Sequence, residues 1–166
     1  MDVIFDIDGT LVDISHRLKY IGAPREHTKL DDDEHKRLSK KDWKAFRDPL
    51  KKRWDEPIWP VISTLLALHA AGHRILIASG RTKSEKEGTL DSLRTYIPFI
   101  DDVPLYMRSD GDFRKDTVVK SAMLDKMLDA GYKPVMVFDD RPSVIEMWHS
   151  RGLKVMDVRD PSKGNF

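Results

Sequence analysis

Short apolar runs that stop abruptly at polar residues recur along this chain, and they constrain its fold more than any other feature. Val3-Ile4-Phe5 runs into the polar stretch from Asp6 to Thr10, as a strand buried on both faces of a parallel sheet does. Ile75-Leu76-Ile77-Ala78 and Val135-Met136-Val137-Phe138 repeat the pattern, and Pro104-Leu105-Tyr106-Met107 and Leu153-Lys154-Val155-Met156 are weaker versions of it. Helical stripes lie between them. Ile58, Val61, Ile62, Leu65 and Leu66 follow helical spacing, with Pro57 and Pro60 tolerated near the start and Gly72 as the stop. Val119, Ala122, Met123, Met127 and Ala130 form a second stripe ending at Gly131, and Pro142 opens a third with Val144, Ile145 and Trp148, closed by Gly152. Lys83 to Tyr96 is expected to be helical too, although Gly88 works against it. Strands alternating with helices predict an α/β fold, a Rossmann-like doubly wound parallel sheet.

Residues 13–57 break that alternation. They carry 13 Lys/Arg against 10 Asp/Glu, contain no convincing strand, and have their best helical stretch from Asp32 to Phe46. The expected organisation is therefore a core of 1–12 and 58–166 with a small helical cap, 13–57, inserted after the first strand. At 166 residues the chain suits one domain with such an insertion. It has no cysteine, which excludes disulfides, thiolate-bound zinc and a thiol nucleophile. The absence of an apolar membrane-length run, and of a basic-then-apolar leader pattern, points to no membrane association and a cytoplasmic setting. Net charge is +1, so any nucleic-acid partner must be held by a local patch.

The polar residues at the strand ends carry the chemistry. Asp6 and Asp8 stand two apart at the C-terminal end of the first strand, the edge where open α/β sheets bind ligands. Neighbouring carboxylates repel unless a cation offsets them, which makes Mg²⁺ a natural partner. Gly9 permits the tight turn that follows. Ser79-Gly80-Arg81 ends the second strong strand, where a hydroxyl can donate to a phosphate oxygen and a guanidinium can bind two of them. Asp139 and Asp140 end another strand, and an Asp there can also cap the helix opened by Pro142.

The string Asp6-Ile7-Asp8-Gly9-Thr10-Leu11 after an apolar strand resembles the first motif of haloacid-dehalogenase-like phosphatases. That resemblance implies that Asp6 attacks phosphorus and becomes an aspartyl phosphate, while Asp8 is the general acid and then the base. Ser79 matches the family's hydroxyl position, and Lys120, in preference to Lys115, its lysine. Asp6, the Asp8 backbone carbonyl and Asp140 are implied Mg²⁺ ligands, with Asp139 directly on the ion or just behind it; the order of Asp139 and Asp140 stays open.

A closer resemblance is to the 3′-phosphatase domain of phage-type polynucleotide kinase/phosphatases. It rests on Leu105-Tyr106-Met107-Arg108, the block Gly111-Asp112-x-Arg114-Lys115-Asp116-x-Val118-Val119-Lys120, Phe138-Asp139-Asp140-Arg141, Val144-Ile145-Glu146-Met147-Trp148, and Gly164-Asn165-Phe166. It implies roles for Arg17 and Asp116 in the phosphatase reaction, a 3′-phosphorylated DNA or RNA end as substrate, a setting in nucleic-acid repair, and a separate kinase or ligase as partner. No G-x-x-x-x-G-K-[ST] string occurs, so kinase activity is not expected. The alternatives are a nucleotidase or small-molecule phosphatase, and a non-catalytic binding protein on the same fold. The cap's bases are Lys36, Arg37, Lys40, Lys41, Lys44, Arg47 and Lys51 to Arg53, and positions 36, 40, 44, 47 and 51 fall on one helical face if the helix continues that far. With Trp43 and Trp54 interleaved, that face is read either as solvated with both tryptophans packed inward or as a base-stacking surface. No histidine spacing is read as a metal site, His69 and His73 included; His16, beside Arg17, is kept as a minor candidate for the site's edge.

Overall fold

The computed structural model describes residues 1–21 and 42–160. A five-stranded, all-parallel sheet forms its centre, in the order β5-β4-β1-β6-β7. The strands are β1 (Asp2–Phe5), β4 (Arg74–Thr82), β5 (Leu105–Arg108), β6 (Pro134–Asp139) and β7 (Lys154–Asp157). All five expected apolar runs are strands. β4 extends further than its apolar run, because Ser79, Gly80, Arg81 and Thr82 continue it, with an irregular register against β5 between Ser79 and Thr82. Ser79-Gly80-Arg81 thus lies within the strand itself, at its C-terminal end.

Helices cover both faces, as a strand whose successive side chains point to opposite sides requires. Val3 and Phe5 pack on one face against Val61, Ile62 and Leu65 of helix Trp59–Ala70 and Leu90 and Leu93 of helix Lys86–Arg94. Ile4 packs on the other against Val119, Met123 and Met127 of helix Asp116–Asp129 and Val144 and Trp148 of helix Pro142–Ser150. The segment expected as one helix from Lys83 to Tyr96 is a 3₁₀ turn, Lys83–Glu85, leading into that shorter helix. A Thr82/Glu85 capping box marks the junction. Gly88 sits inside the helix without ending it.

After β1 the chain forms β2 (Val12–Asp13), helix α1 (Ser15–Leu18), α2 (Trp43–Arg47), α3 (Pro49–Lys52) and β3 (Glu56–Pro57). β2 and β3 pair antiparallel, Val12 with Pro57 and Asp13 with Glu56, so the inserted segment leaves and rejoins the core through a two-strand ribbon. The described part of residues 13–57 thus combines short helices with this ribbon, a strand pair that the sequence did not lead one to expect. Its helices do not form one continuous basic face: α2 ends at Asp48, whose extended backbone starts α3, so Lys51 lies on a different helix from Lys44 and Arg47. Lys36, Arg37, Lys40 and Lys41, most of the stretch from Asp32 to Phe46, and Gly164-Asn165-Phe166 lie outside the described residues.

Candidate active site

The C-terminal ends of β1 and β6 lie side by side, and the residues just past them meet. The Asp6 amide donates to the Phe138 carbonyl at 3.0 Å, which fixes the two loops relative to each other. Oxygens of Asp6, Asp139 and Asp140 lie within 4.8 Å of one another. Lys120, buried near the start of its helix, places its ammonium 2.9 Å from Asp6 and 2.7 Å from Asp139. Lys115 is exposed at the helix start, as is Arg114, so Lys120 is the lysine that reaches the carboxylates.

The three carboxylates occupy different settings. Asp139 is fully buried, and both of its oxygens accept hydrogen bonds: Oδ2 from Lys120 and from the Trp148 indole N–H at 3.1 Å, Oδ1 from the Arg141 amide at 3.1 Å. Burial lifts the Asp6 carboxyl to about 7; Lys120 opposes the rise, and Asp139 and Asp140 add to it. Burial and then Asp139 lift Asp140 to about 6. Lys120 loses hydration too, yet Asp139 and Asp6 outweigh that and hold its pKa above the ordinary value. Three ionised carboxylates against one ammonium leave two negative charges, which one divalent cation balances. The residues present therefore fit Mg²⁺. Asp139 already accepts from Lys120, Trp148 and the Arg141 amide, whereas Asp6 faces Lys120 and Asp140 accepts from Thr10 at 3.5 Å, which leaves Asp6 and Asp140 more open to an ion.

Gly9 is forced by this convergence. Its φ of +86° belongs to glycine, and a Cβ there would stand 2.0 Å from Asp140 Oδ2.

Asp8 takes part in a second cluster. Arg81 grips it through Nε at 3.0 Å and Nη2 at 2.6 Å, and Arg17 Nη2 adds a contact at 3.0 Å. Removal from water pushes the Asp8 carboxyl up, and the facing arginines, Arg81 above all, more than reverse this, holding it well below the usual carboxylate range. Both arginines are held from behind by buried Asp55, which accepts from Arg17 Nε and Nη2 at 2.6 Å each, Arg81 Nη2 at 3.1 Å and His16 at 2.9 Å. Arg17 is fully buried, donates to the Phe46 carbonyl at 2.9 Å and stacks over the Phe46 ring at 4.7 Å. Two residues of the insertion, Asp55 and Phe46, thus hold the guanidiniums that face Asp8. Lys52 adds a further link through its ion pair with Glu85.

Ser79 is fully buried beside these groups and accepts from the Arg81 amide at 3.2 Å. Asp116 sits apart from the carboxylate centre: it pairs with Arg108 and Arg141 and packs against Gly80, where an added Cβ would meet its oxygen at 3.3 Å. Arg108 in turn donates to the carbonyls of Gly80, Asp112 and Arg114. Of the residues singled out in the sequence, Asp6, Asp139, Asp140 and Lys120 form one centre, and Asp8, Arg81, Arg17 and His16 form its neighbour. Gly80 and Asp116 brace the flank. His69 stacks on Phe99, and His73 contacts the chain's amino group.

Sequence reasoning gave no role to Asp55, Trp148, Arg108 or Arg141. Arg108, Arg141 and Trp148 stand inside the strings that carry the family resemblance, and Trp148 also in an apolar helical stripe, but neither signal tied them to the site. Asp55, in the turn-like Trp54-Asp55-Glu56-Pro57, had none. The reading with both cap tryptophans packed inward does not hold, since Trp54 is 75% exposed and Trp43 45%.

The sequence pattern of the family described as polynucleotide kinase PNKP phosphatase domain matches residues 38–166. A protein of Autographa californica nuclear polyhedrosis virus, named as a bifunctional polynucleotide kinase/RNA ligase, is 32% identical over 84 residues, which are 51% of this chain and 12% of that protein. A chain of the Pnkp1/Rnl/Hen1 RNA repair complex superposes with a TM-score of 0.71 at 25% identity, over 99% of this chain and 43% of that one. A haloacid dehalogenase-like hydrolase from Streptococcus pneumoniae gives a TM-score of 0.60 at 13% identity, over 94% of this chain and 83% of its own, a likeness of fold alone. The chain spans less than half the length of the first two relatives. Among the described residues no helix is long and apolar enough to cross a membrane.

Proposed function

Because this chain belongs to the polynucleotide kinase PNKP phosphatase domain family, and so is a haloacid-dehalogenase-like phosphatase, we propose that it removes 3′-phosphates from nucleic-acid ends through an aspartyl phosphate on Asp6, with Mg²⁺ as cofactor. The observation that carries this reading is the placement of Asp6. It stands at the C-terminal end of the central strand, 2.9 Å from Lys120 and grouped with Asp139 and Asp140.

In this reading Asp6 and Asp140 would hold the ion together with the Asp8 backbone carbonyl, while Asp139 anchors Lys120. When bound, Mg²⁺ supplies positive charge beside the carboxylates and the phosphoryl oxygens. An Asp6 oxygen forms the bond to phosphorus as the bond from phosphorus to the 3′ oxygen breaks, and the Asp8 carboxylic acid gives its proton to that leaving oxygen. Water then attacks the aspartyl phosphate and passes a proton to Asp8. Inorganic phosphate leaves, and Asp6 is again a carboxylate. Lys120 offsets the negative charge that gathers on Asp6 and the phosphoryl group.

Asp8 cannot give up a proton while Arg81 and Arg17 hold it as an anion. A substrate phosphoryl group offers those guanidiniums a competing partner of matching geometry, so its arrival frees Asp8 to take up a proton from solvent water and to turn, as the carboxylic acid, toward the leaving oxygen. Ser79 is buried two residues before Arg81 and its hydroxyl accepts from the Arg81 amide, which places it beside the guanidinium that faces Asp8. The likeness to a chain of an RNA repair complex supports a repair setting with a separate ligase as partner.

The test is direct. Purified protein with Mg²⁺ releases phosphate from a 3′-phosphorylated oligonucleotide faster than from a nucleoside 3′-monophosphate. Equal or slower turnover of the oligonucleotide would reject 3′-end specificity in favour of a nucleotidase or general phosphomonoesterase.

A further inference from the structure

We propose that Phe113 is a platform on which a nucleobase near the substrate's 3′ end stacks, so that this phosphatase takes single-stranded ends; the inference rests on the polynucleotide reading above. Phe113 is 90% exposed, more than any other large hydrophobic residue described. A lone exposed ring means little by itself, but this one is mounted on a loop held at nearly every residue. Asp112 donates its amide to the Ser109 carbonyl at 3.1 Å, and its carboxylate accepts from the Arg114 amide at 3.1 Å. Arg114 also grips that carboxylate with its side chain, at 2.9 and 2.6 Å. The carbonyls on either side of Phe113, those of Asp112 and Arg114, both accept from Arg108 Nη1, at 2.9 and 2.7 Å.

Arg108 ties the platform to the site. The same buried guanidinium contacts the Gly80 carbonyl at 3.2 Å and the Asp116 carboxylate, so the loop is referenced to the residue beside Ser79. Asp110 closes the other side by accepting from Ser84 N at 3.2 Å and Oγ at 2.6 Å, next to the turn whose Glu85 binds Lys52. Beyond Lys52 stands Trp54, 75% exposed and adjacent to Asp55. The rim is thus a hydrogen-bonded chain with an exposed ring near each end. Exposed Lys83, Lys115 and Arg53 lie along it, suited to backbone phosphates.

A rigidly held ring with cations beside it is what single-stranded recognition requires, because every base has a π face while the backbone supplies the charge. A duplex end keeps its bases stacked on each other and leaves Phe113 unused. The loop's hydrogen bonds are made internally or to Arg108 and Ser84, so the ring takes no part in holding the loop and is presented beside exposed Arg114 and Lys115.

Phe113→Ala, Phe113→Trp and wild-type protein are compared on three substrates: a single-stranded 3′-phosphorylated oligonucleotide, the same strand with abasic residues at its last nucleotides, and a small aryl phosphate. The expected result is a KM for the normal strand raised roughly 5- to 150-fold by Phe113→Ala, the range for one lost base stack. Phe113→Trp is expected to keep the wild-type KM, and the aryl phosphate to be turned over equally by all three. On the abasic strand wild type and Phe113→Ala are expected to have the same KM. An equal KM increase on normal and abasic strands, or none on either, overturns the platform. A fall in aryl phosphate turnover for Phe113→Ala overturns it as well, since the ring would then support the fold or the chemistry. Failure of the underlying reading appears separately, as a wild-type enzyme that shows no preference for the oligonucleotide over the aryl phosphate.

Discussion

Asp55→Asn keeps the shape of a buried side chain and removes one charge, and its effect follows from the contacts. Arg17 and Arg81 carry two positive charges, balanced by Asp8 and Asp55, all linked at 2.6 to 3.1 Å. The substitution leaves the group one charge positive, with Arg17 fully buried. Breaking a buried ion pair from one side costs about 3–5 kcal/mol. Asp8 still faces both guanidiniums and the new amide oxygen still accepts, so about 3 kcal/mol is expected. For a domain of this size that lowers Tm by roughly 6–12 °C. Urea melts followed by circular dichroism measure it. Turnover should also fall, by roughly 10- to 100-fold in kcat, because Asp8 is left as the sole carboxylate on both arginines and is harder to release. KM should not rise, since the group's positive charge still favours a phosphate dianion. A stability loss below about 1 kcal/mol, or an unchanged kcat, would refute the view that Asp55 sets the charge balance behind Asp8.

Two further outcomes concern the carboxylate centre. Asp6 and Asp140 are lifted to about 7 and about 6 from an ordinary 3.8. The metal-free folded state therefore binds more protons than the unfolded one, and these two groups make stability fall as pH rises from about 4 through about 7. Thermal melts in chelator should show that loss, Asp6→Asn should flatten it, and Mg²⁺ should bind more tightly with rising pH, releasing protons over the same window. A metal-free stability that rises through this range would contradict the assignment. Gly9→Ala should abolish turnover and cost at least about 2 kcal/mol, because a left-handed backbone is combined with a Cβ 2.0 Å from Asp140; a melt and a phosphate-release assay check both, and wild-type activity would contradict it.

How far the sequence could be read depended on whether a residue's reason is local. The central strands were legible because Val3-Ile4-Phe5 and Ile75-Leu76-Ile77-Ala78 are apolar on both faces, the edge run Leu153-Lys154-Val155-Met156 was weaker because β7 is largely exposed, and the carboxylates were legible because they follow the strong runs directly. Lys120 was distinguishable from Lys115 by family spacing, and it is the one whose side chain turns inward from the helix. Asp55 was invisible because its purpose is set by Arg17, 38 residues away, and Arg81, 26 away. Trp148 read as core, which it is, but nothing in the apolar stripe tells that its indole N–H meets Asp139. The basic face failed at Asp48: an Asp-Pro pair ends one helix and begins another, so helical spacing could not be carried across it.

The central claim is that Asp6 is the atom-bearing nucleophile of a phosphatase centre. Single-turnover reaction of Asp8→Asn protein with a small aryl phosphate, whose phenolate leaves without a proton from Asp8, and Mg²⁺, quenched in acid and mapped by peptide mass spectrometry, tests it. The account predicts one added phosphoryl group on Asp6, absent when Mg²⁺ is withheld. A phosphoryl group on any other residue, or phosphate release that persists in Asp6→Asn, would contradict it.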